Sequence, residues 1–239
     1  MTTDTRDKIR EDYSKSGEQY DHVRIETPRG LLLSEHDIKI FERMFPNGPT
    51  SMNMLEIGAG TGRFTLLALE RGFSLQAVDI NQTMLDELQK KVDAMGASDR
   101  CQIHVDDIFK LAKDDEAFDY VFSLHVIPRF LTLEDQRAAL TEVCRVIKPG
   151  GTLLFNYRNS KSFYNLFYKG HAASPAEIEK ILADSGMQVI QKRGKWLLNR
   201  KLLNKLPVFV GKLIAMADRV LEGFWPNRAW DVFLVARKG

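Results

Sequence analysis

The chain has 239 residues, 44% of them hydrophobic, with 34 lysines and arginines against 32 acids. That length supports one large domain, or a domain with an elaboration, around a sizeable core. The net charge of +2 gives no general nucleic-acid surface. Cys101 and Cys144 fall inside strand and helix patterns and read as reduced thiols of a cytoplasmic protein. Residues 1–18 are polar, unlike a signal peptide, and no apolar run reaches the roughly 20 residues that span a bilayer. Residues 5–19 read as a short helix or an arm, in which Tyr13 and Tyr20 stand out; Asp21 and His22 follow Tyr20. Beyond Pro28 and Gly30, residues 31–45 repeat Leu31, Leu32, Ile38, Phe41, Met44 and Phe45 at helical spacing, and Pro46, Asn47, Gly48 and Pro49 end that helix.

The chain turns on the stretch that follows. Met54, Leu55, Glu56 and Ile57 lead into Gly58, Ala59, Gly60, Thr61 and Gly62, and an amphipathic run over 65–71 closes at Gly72. This is a strand, a tight loop and a helix. Glycines there let a ligand touch backbone, and the helix start offers free N–H groups and a positive dipole end. The third glycine comes one residue too early for the dinucleotide pattern G-x-G-x-x-G. A second strand over 74–80 ends in Asp79. A carboxylate at that place accepts hydrogen bonds from both ribose hydroxyls of a nucleoside. Asn81 suits the cap of a helix carrying Met84, Leu85, Leu88, Val92 and Met95, closed by Gly96.

The run Glu56-x-Gly58-x-Gly60-x-Gly62, with Asp79 at the second strand's end, resembles motif I of the class I S-adenosylmethionine (SAM)-dependent methyltransferases. The resemblance implies SAM as cofactor, with its methionine part against Glu56, Gly58, Ala59, Gly60 and Gly62 and its ribose on Asp79 and Ile80. A third strand over 101–105 precedes Asp106, Asp107 and Ile108. The family places an Asp here on the adenine amine, and the next residue's N–H on a ring nitrogen. Asp106 matches best, Asp107 is the alternative, and a plain turn stays open. Residues 117–124 resemble motif IV. Asp119 starts that strand, at the wrong end for chemistry. Ser123, Leu124, His125, Val126 and Ile127, past its other end, should face the sulfonium and the acceptor. His125 is the candidate base, because imidazole titrates near neutrality; the alternative is that it only shapes the pocket. The family also suggests a Tyr-Asp lid, here Tyr20 and Asp21, over SAM. No metal-ligand spacing stands out.

A helix over 133–147 should stop at Lys148, Pro149, Gly150 and Gly151, before a strand over 152–156; this phrase too is similar to the family. Ser174 caps, with Pro175 following, a helix to Ala183, and strands over 187–192 and 230–237 follow. The expected fold is α/β: a doubly wound, Rossmann-like, seven-stranded sheet, mostly parallel with the last strand antiparallel and helices on both faces. Three parts are expected: residues 1–48 as an N-terminal helical arm or lid, 49–193 with 229–239 as the SAM-binding core, and 194–228 as a basic, apolar helical insert.

That insert is the unusual part. From Ser185 to Ala217 there is no acid but seven basic residues, interleaved with aliphatic and aromatic ones. Three readings stay open: helices packed on the sheet edge or a second subunit, contact with an anionic membrane surface through 195–225, and a lid over an anionic acceptor. Residues 163–169, also aromatic, should border the acceptor. The function expected is methyl transfer to a small-molecule or lipid-linked acceptor, first an oxygen of a sugar, glycan or natural product, and second a carbon of a prenylated quinone. Rivals from other classes are a nicotinamide-dependent oxidoreductase and a SAM-binding protein without catalysis. Monomer and homodimer are both open.

Overall fold

The computed structural model describes residues 21, 27–48, 50–130, 132–162, 173–195, 206–221 and 223–239. Helix α1 is Pro28–Met44, capped by Thr27, whose Oγ1 accepts from Gly30 N at 3.1 Å. The core then alternates: β1 Met54–Ile57, α2 Arg63–Glu70, β2 Leu75–Asp79, α3 Gln82–Ala94, β3 Cys101–Val105, β4 Phe118–Ser123, α4 Leu133–Arg145, β5 Ile147–Arg158, α5 Pro175–Asp184, β6 Met187–Lys195, α6 Val208–Leu221 and β7 Asp231–Lys238. A 3₁₀ turn, Ile127–Arg129, follows β4.

The seven strands lie in the order β3-β2-β1-β4-β5-β7-β6. β1 to β5 pair in parallel, and β7 runs antiparallel between β5 and β6. This is the doubly wound, Rossmann-like sheet the alternation predicts. Side-chain alternation splits the core in two. Leu55, Ile57, Val121, Leu153 and Phe155 face α4 and α5 residues such as Leu140, Val143, Ile178 and Leu182. Met54, Tyr120, Phe122 and Leu154 face Ile40, Phe41, Phe64, Leu85 and Leu88 of α1, α2 and α3. Successive strand residues point to opposite faces, so one short apolar strand feeds both layers. On the α1 side, Phe41, Phe45, Phe64 and Phe122 form a chain of rings 4.5 to 5.7 Å apart. Tilted and edge contacts of this kind add to simple burial.

Boundaries shift in places. α2 begins at Arg63, two residues before the expected start, because Gly62 at φ +95 turns directly into it. α4 ends at Arg145, whose guanidinium is held by Glu142, Asp115 and the carbonyls of Leu111 and Lys113. β5 starts at Ile147, so Lys148, Pro149, Gly150 and Gly151 are a bulge within a strand, not a stop before one: Phe118 pairs with Ile147, but Tyr120 pairs with Thr152. β6 runs on to Lys195 because β7 pairs it along its whole length.

Candidate functional site

The strand order reverses between β1 and β4, and a cavity opens at the carboxyl ends of the strands there. That is where open α/β sheets bind ligands. Its wall includes Gly58, Gly60, Asp79, Ile80, Asp106, Asp107, Ile108, Leu124, His125 and Val126, ten of the residues expected from sequence. Ile57, Asn81, Met84, Phe109, Arg129 and Phe130 complete it. These six carry no motif signal for a ligand, since apolar and turn residues at strand ends look alike whether or not they meet one.

The glycine loop is built from three demands. Gly58 has φ +78, and a Cβ on it would lie 2.1 Å from Val126 Cγ2. Gly62 has φ +95, and a Cβ there would lie 2.4 Å from Leu88 Cδ1. Gly60 has φ +56, and a Cβ on it would meet no protein atom within 4 Å, since the loop is open there. The loop is tied down from below, where Gly58 N and Ala59 N both donate to Val78 O, at 2.7 and 3.0 Å. From the side, Gly60 N donates to Asp79 Oδ2 at 2.9 Å, and Asn81 N donates to Asp79 Oδ1 at 3.0 Å. With Ile80 N a third backbone donor, the carboxylate as a whole still keeps acceptor capacity. Burial raises the Asp79 pKa, and these backbone donors oppose the rise.

Five expected contacts do not reach the wall. Ile127 is fully buried in the core on the α4 and α5 side. Glu56 is 2% exposed and lies beneath the loop, accepting a hydrogen bond from Thr65 Oγ1. Burial pushes its pKa up to about 8 against that bond. Ala59 packs into the α1-side core. Gly62 caps α2. Ser123 is 1% exposed within β4, opposite Phe155. In each case the strand's alternation or the loop's turn directs the residue away from the cavity. Tyr20 lies outside the described residues, as do 163–169. Asp21 is described, and it accepts from Thr61 Oγ1 at 2.6 Å and from Lys91 Nζ, which also donates to Thr61 O at 2.9 Å. The arm thus meets the glycine loop at Asp21.

Asp106 spends its carboxylate on backbone: Oδ1 accepts from Asp107 N at 2.9 Å, and both oxygens accept from Ala112 N at 3.1 Å. Asp107 Oδ1 accepts from Phe109 N at 3.0 Å. Both acids fold the turn that walls the cavity.

His125 lies two residues past β4 with φ +64, a left-handed backbone that a non-glycine residue rarely adopts. Its N–H donates to Asn156 Oδ1 at 2.6 Å. Its Nε2 lies 3.0 Å from Asp37 Oδ2, and its Nδ1 lies 3.4 Å from Asn156 Nδ2. Behind it stands a buried polar cluster that no sequence motif announces. Lys195 Nζ donates to Asp37 Oδ1 at 2.6 Å and lies 3.7 Å from Asp231 Oδ2; Asn156 Nδ2 donates to Asp231 Oδ1 at 2.8 Å. Burial alone would raise the Asp37 pKa, but Lys195, then His125 and Arg63, hold it well below the usual carboxylate range. Burial lowers the His125 pKa more than Asp37 raises it, so the ring stands neutral at pH 7. Three of these residues lie on α1, β6 and β7, far apart in sequence, which is why only spatial assembly reveals them.

With this geometry in place, the similarities to known proteins take on meaning. A family described as a methyltransferase domain matches residues 54–151, the span that carries the glycine loop, Asp79 and the end of β4. Residues 54–151 thus match a methyltransferase domain over somewhat less than half of the chain. A malonyl-[acyl-carrier protein] O-methyltransferase of Halorhodospira halophila is 30% identical over 149 residues, 62% of this chain and 46% of its own length. The chain spans about half the length of the curated relatives it matches first. Magnesium protoporphyrin IX methyltransferase from Synechocystis PCC 6803, solved with SAH, shares the fold with TM-score 0.71 at 13% identity, covering 98% of this chain and all of that one. Geranyl diphosphate C-methyltransferase from Streptomyces coelicolor A3(2) does so with TM-score 0.71 at 13% identity, covering 100% and 99%.

The cavity fits S-adenosylmethionine, the cofactor that the glycine-loop resemblance implies. Asp79 presents acceptor capacity for hydroxyls on a wall that is otherwise mostly apolar. The open space over Gly60 admits a ligand where a side chain would otherwise stand.

Proposed function

We propose that this chain is an enzyme that moves the methyl group of SAM to a small-molecule acceptor, first of all an oxygen of a sugar, glycan or natural product. One observation carries the reading: Asp79, pinned by Gly60 N and Asn81 N, faces across the switch-point cavity toward a wall of Leu124, His125, Val126 and Arg129. SAM supplies a methyl already activated on sulfur. The chain's own task is to hold donor and acceptor in line and to exclude water. Asp79 and the glycine loop orient the donor. Ile57, Leu124, Val126 and Phe130 keep the cavity apolar, and Arg129 gives the wall a cation. An oxygen acceptor must shed a proton. His125, neutral and beside the ionised Asp37, is the candidate to take it through Nδ1, the nitrogen that does not face Asp37, with Asp37 stabilising the resulting imidazolium.

A second reading rests on the Asn156 contact. With Nδ1 toward Asn156 and Nε2 toward Asp37, His125 acts as a positioning residue for the end of β4. An acceptor that reacts through carbon, such as a prenylated quinone or other lipophilic molecule, then becomes the better match.

The test begins with calorimetric titration of SAM and NADH into the wild type and Asp79→Ala. Heat with SAM, none with NADH, and loss of the SAM heat in the variant are expected. Absence of SAM binding to the wild type overturns the reading. His125→Gln then separates the two roles on an acceptor panel. A base gives a fall in kcat of about a hundredfold or more with SAM affinity kept. A positioning role gives a small fall with an unchanged pH profile.

A further inference from the structure

Helix α6 uses one face to pack on the domain. Gly211, Ala215 and Asp218 are buried there, and Ala215 groups with Ile214, Leu32 and Leu33. The opposite face carries Phe209, Leu213, Met216 and Val220, which are 67, 60, 62 and 70% exposed. Their spacing of four, three and four residues sets them in one row along the helix. Phe224 and Trp225 follow, 65 and 78% exposed. Single exposed apolar residues are ordinary, but a continuous row of large ones marks an interaction surface.

Charge identifies what covers it. Lys212 is exposed beside the row, and the sequence from Trp196 to Ala217 holds Arg200, Lys201, Lys205 and Lys212 and no acid. Asp218 is fully buried on the other face, and Glu222 is the one other acid before Asp231. Two copies joined through this face would set like charges against each other. An anionic lipid surface answers both the charge and the apolar row. Its phosphates meet the cations, while the apolar row and the exposed aromatics enter the boundary between headgroups and acyl chains. Tryptophan favours that boundary. Among the described residues no helix is long and apolar enough to cross a membrane, which leaves lying on the surface as the mode of contact.

We infer that this chain docks on anionic membranes through the apolar row of α6 together with Phe224 and Trp225. α6 rests on α1, and α1 carries Asp37, 3.0 Å from His125 at the cavity wall. The bound lipid surface is therefore one helix layer from the site. Docking does not depend on which acceptor is methylated, and it is measured without turnover.

The test is co-sedimentation of the full chain with phosphatidylcholine vesicles, with and without phosphatidylglycerol. The comparison variant is Phe209→Ser with Leu213→Ser; both positions are exposed, so its melting temperature should match the wild type. A charge variant changes Lys212, Lys205, Lys201 and Arg200 to Gln. Expected are binding about tenfold stronger to the anionic vesicles, and a loss of about tenfold or more in each variant. Equal binding to neutral and anionic vesicles, no binding to either, or unchanged binding of the serine variant overturns the proposal. So does a concentration-dependent dimer in gel filtration that the serine variant converts to monomer, which assigns the row to a second copy.

Discussion

Gly58 and Gly60 stand two residues apart in one loop and answer to different constraints. At Gly58 a methyl group would collide with Val126 and the backbone is left-handed, so Gly58→Ala combines αL strain with overpacking. A loss of about 2–4 kcal/mol is expected, read as a lower melting temperature. At Gly60, φ +56 leaves a milder αL strain, and the methyl meets no atom of the described residues. Gly60→Ala should melt within a few degrees of wild type yet bind SAM about tenfold more weakly or worse, because it fills ligand space; calorimetry beside thermal melts separates the two variants. Glu56 offers a pH test. Its folded pKa, about 8, lies above its ordinary value of 4.5, so the folded state keeps a proton that the unfolded chain releases. Stability from this group is full below about pH 4.5 and is lost as pH rises toward 8. Glu56→Gln carries no such proton, and its melting temperature should gain on the wild type steadily from pH 5 to pH 8. The spacing of Glu56, the glycines and Asp79 was readable from sequence. That Glu56 turns under the loop was not, since whether a strand-end acid faces ligand or core depends on which layer its neighbours fill.

At the scale of elements, the clamp among α1, β6 and β7 decides how the far wall of the site is held. Asp37 and Lys195 are almost fully buried, with side chains 5 and 7% exposed. Removing one partner strands the other charge. Asp37→Ala and Lys195→Met should each cost about 3–5 kcal/mol, and the double variant clearly less than the sum. Denaturant unfolding of the four proteins measures the coupling, and additivity would show that the pair does not act as a unit. The elements that this clamp joins were legible one by one: the helical period of 31–45 gave α1, and alternation gave the strands. The pairing was not, because Asp37 and Lys195 lie 158 residues apart and each alone looks like a solvated surface charge. The bulge of Lys148–Gly151 was hidden for a related reason. Pro and Gly announce a break in local structure, but the register on β4 determines that the break falls inside a strand.

Across the whole molecule, the titrating groups between α1 and α6 make folding sensitive to acid. His36 is buried, and burial first, then Lys195, lower its pKa to about 4. His125 is lowered in the same direction. Between about pH 6.5 and 4 the unfolded chain binds protons that these rings refuse when folded, so stability falls as pH drops through that window. Asp37, depressed, adds to the loss at lower pH. The melting temperature should decline from pH 6.5 to pH 4.5, and His36→Phe should flatten the decline, because a phenyl ring has no proton to take up. A variant as acid-labile as wild type would assign the loss to other groups. The sheet and its order were legible as a class, since strands alternating with helices leave few right-handed topologies. Contact between the α1 and α6 layers was not legible, as it joins the two segments outside the motif-bearing core.

The position of β7 between β5 and β6 also bears on synthesis. β6 pairs with β7 alone, so when Met187–Lys195 leaves the ribosome it has no strand to join. About 35 residues separate it from Asp231, and at ordinary translation speeds they take roughly 2–7 s to appear. During that interval β5 presents a bare edge, and β6, with the apolar row of α6 behind it, is an unpaired tail. A nascent chain in this state offers chaperones a defined target, and completion of the sheet is a late event timed by the length of the connection rather than by the cofactor-binding half.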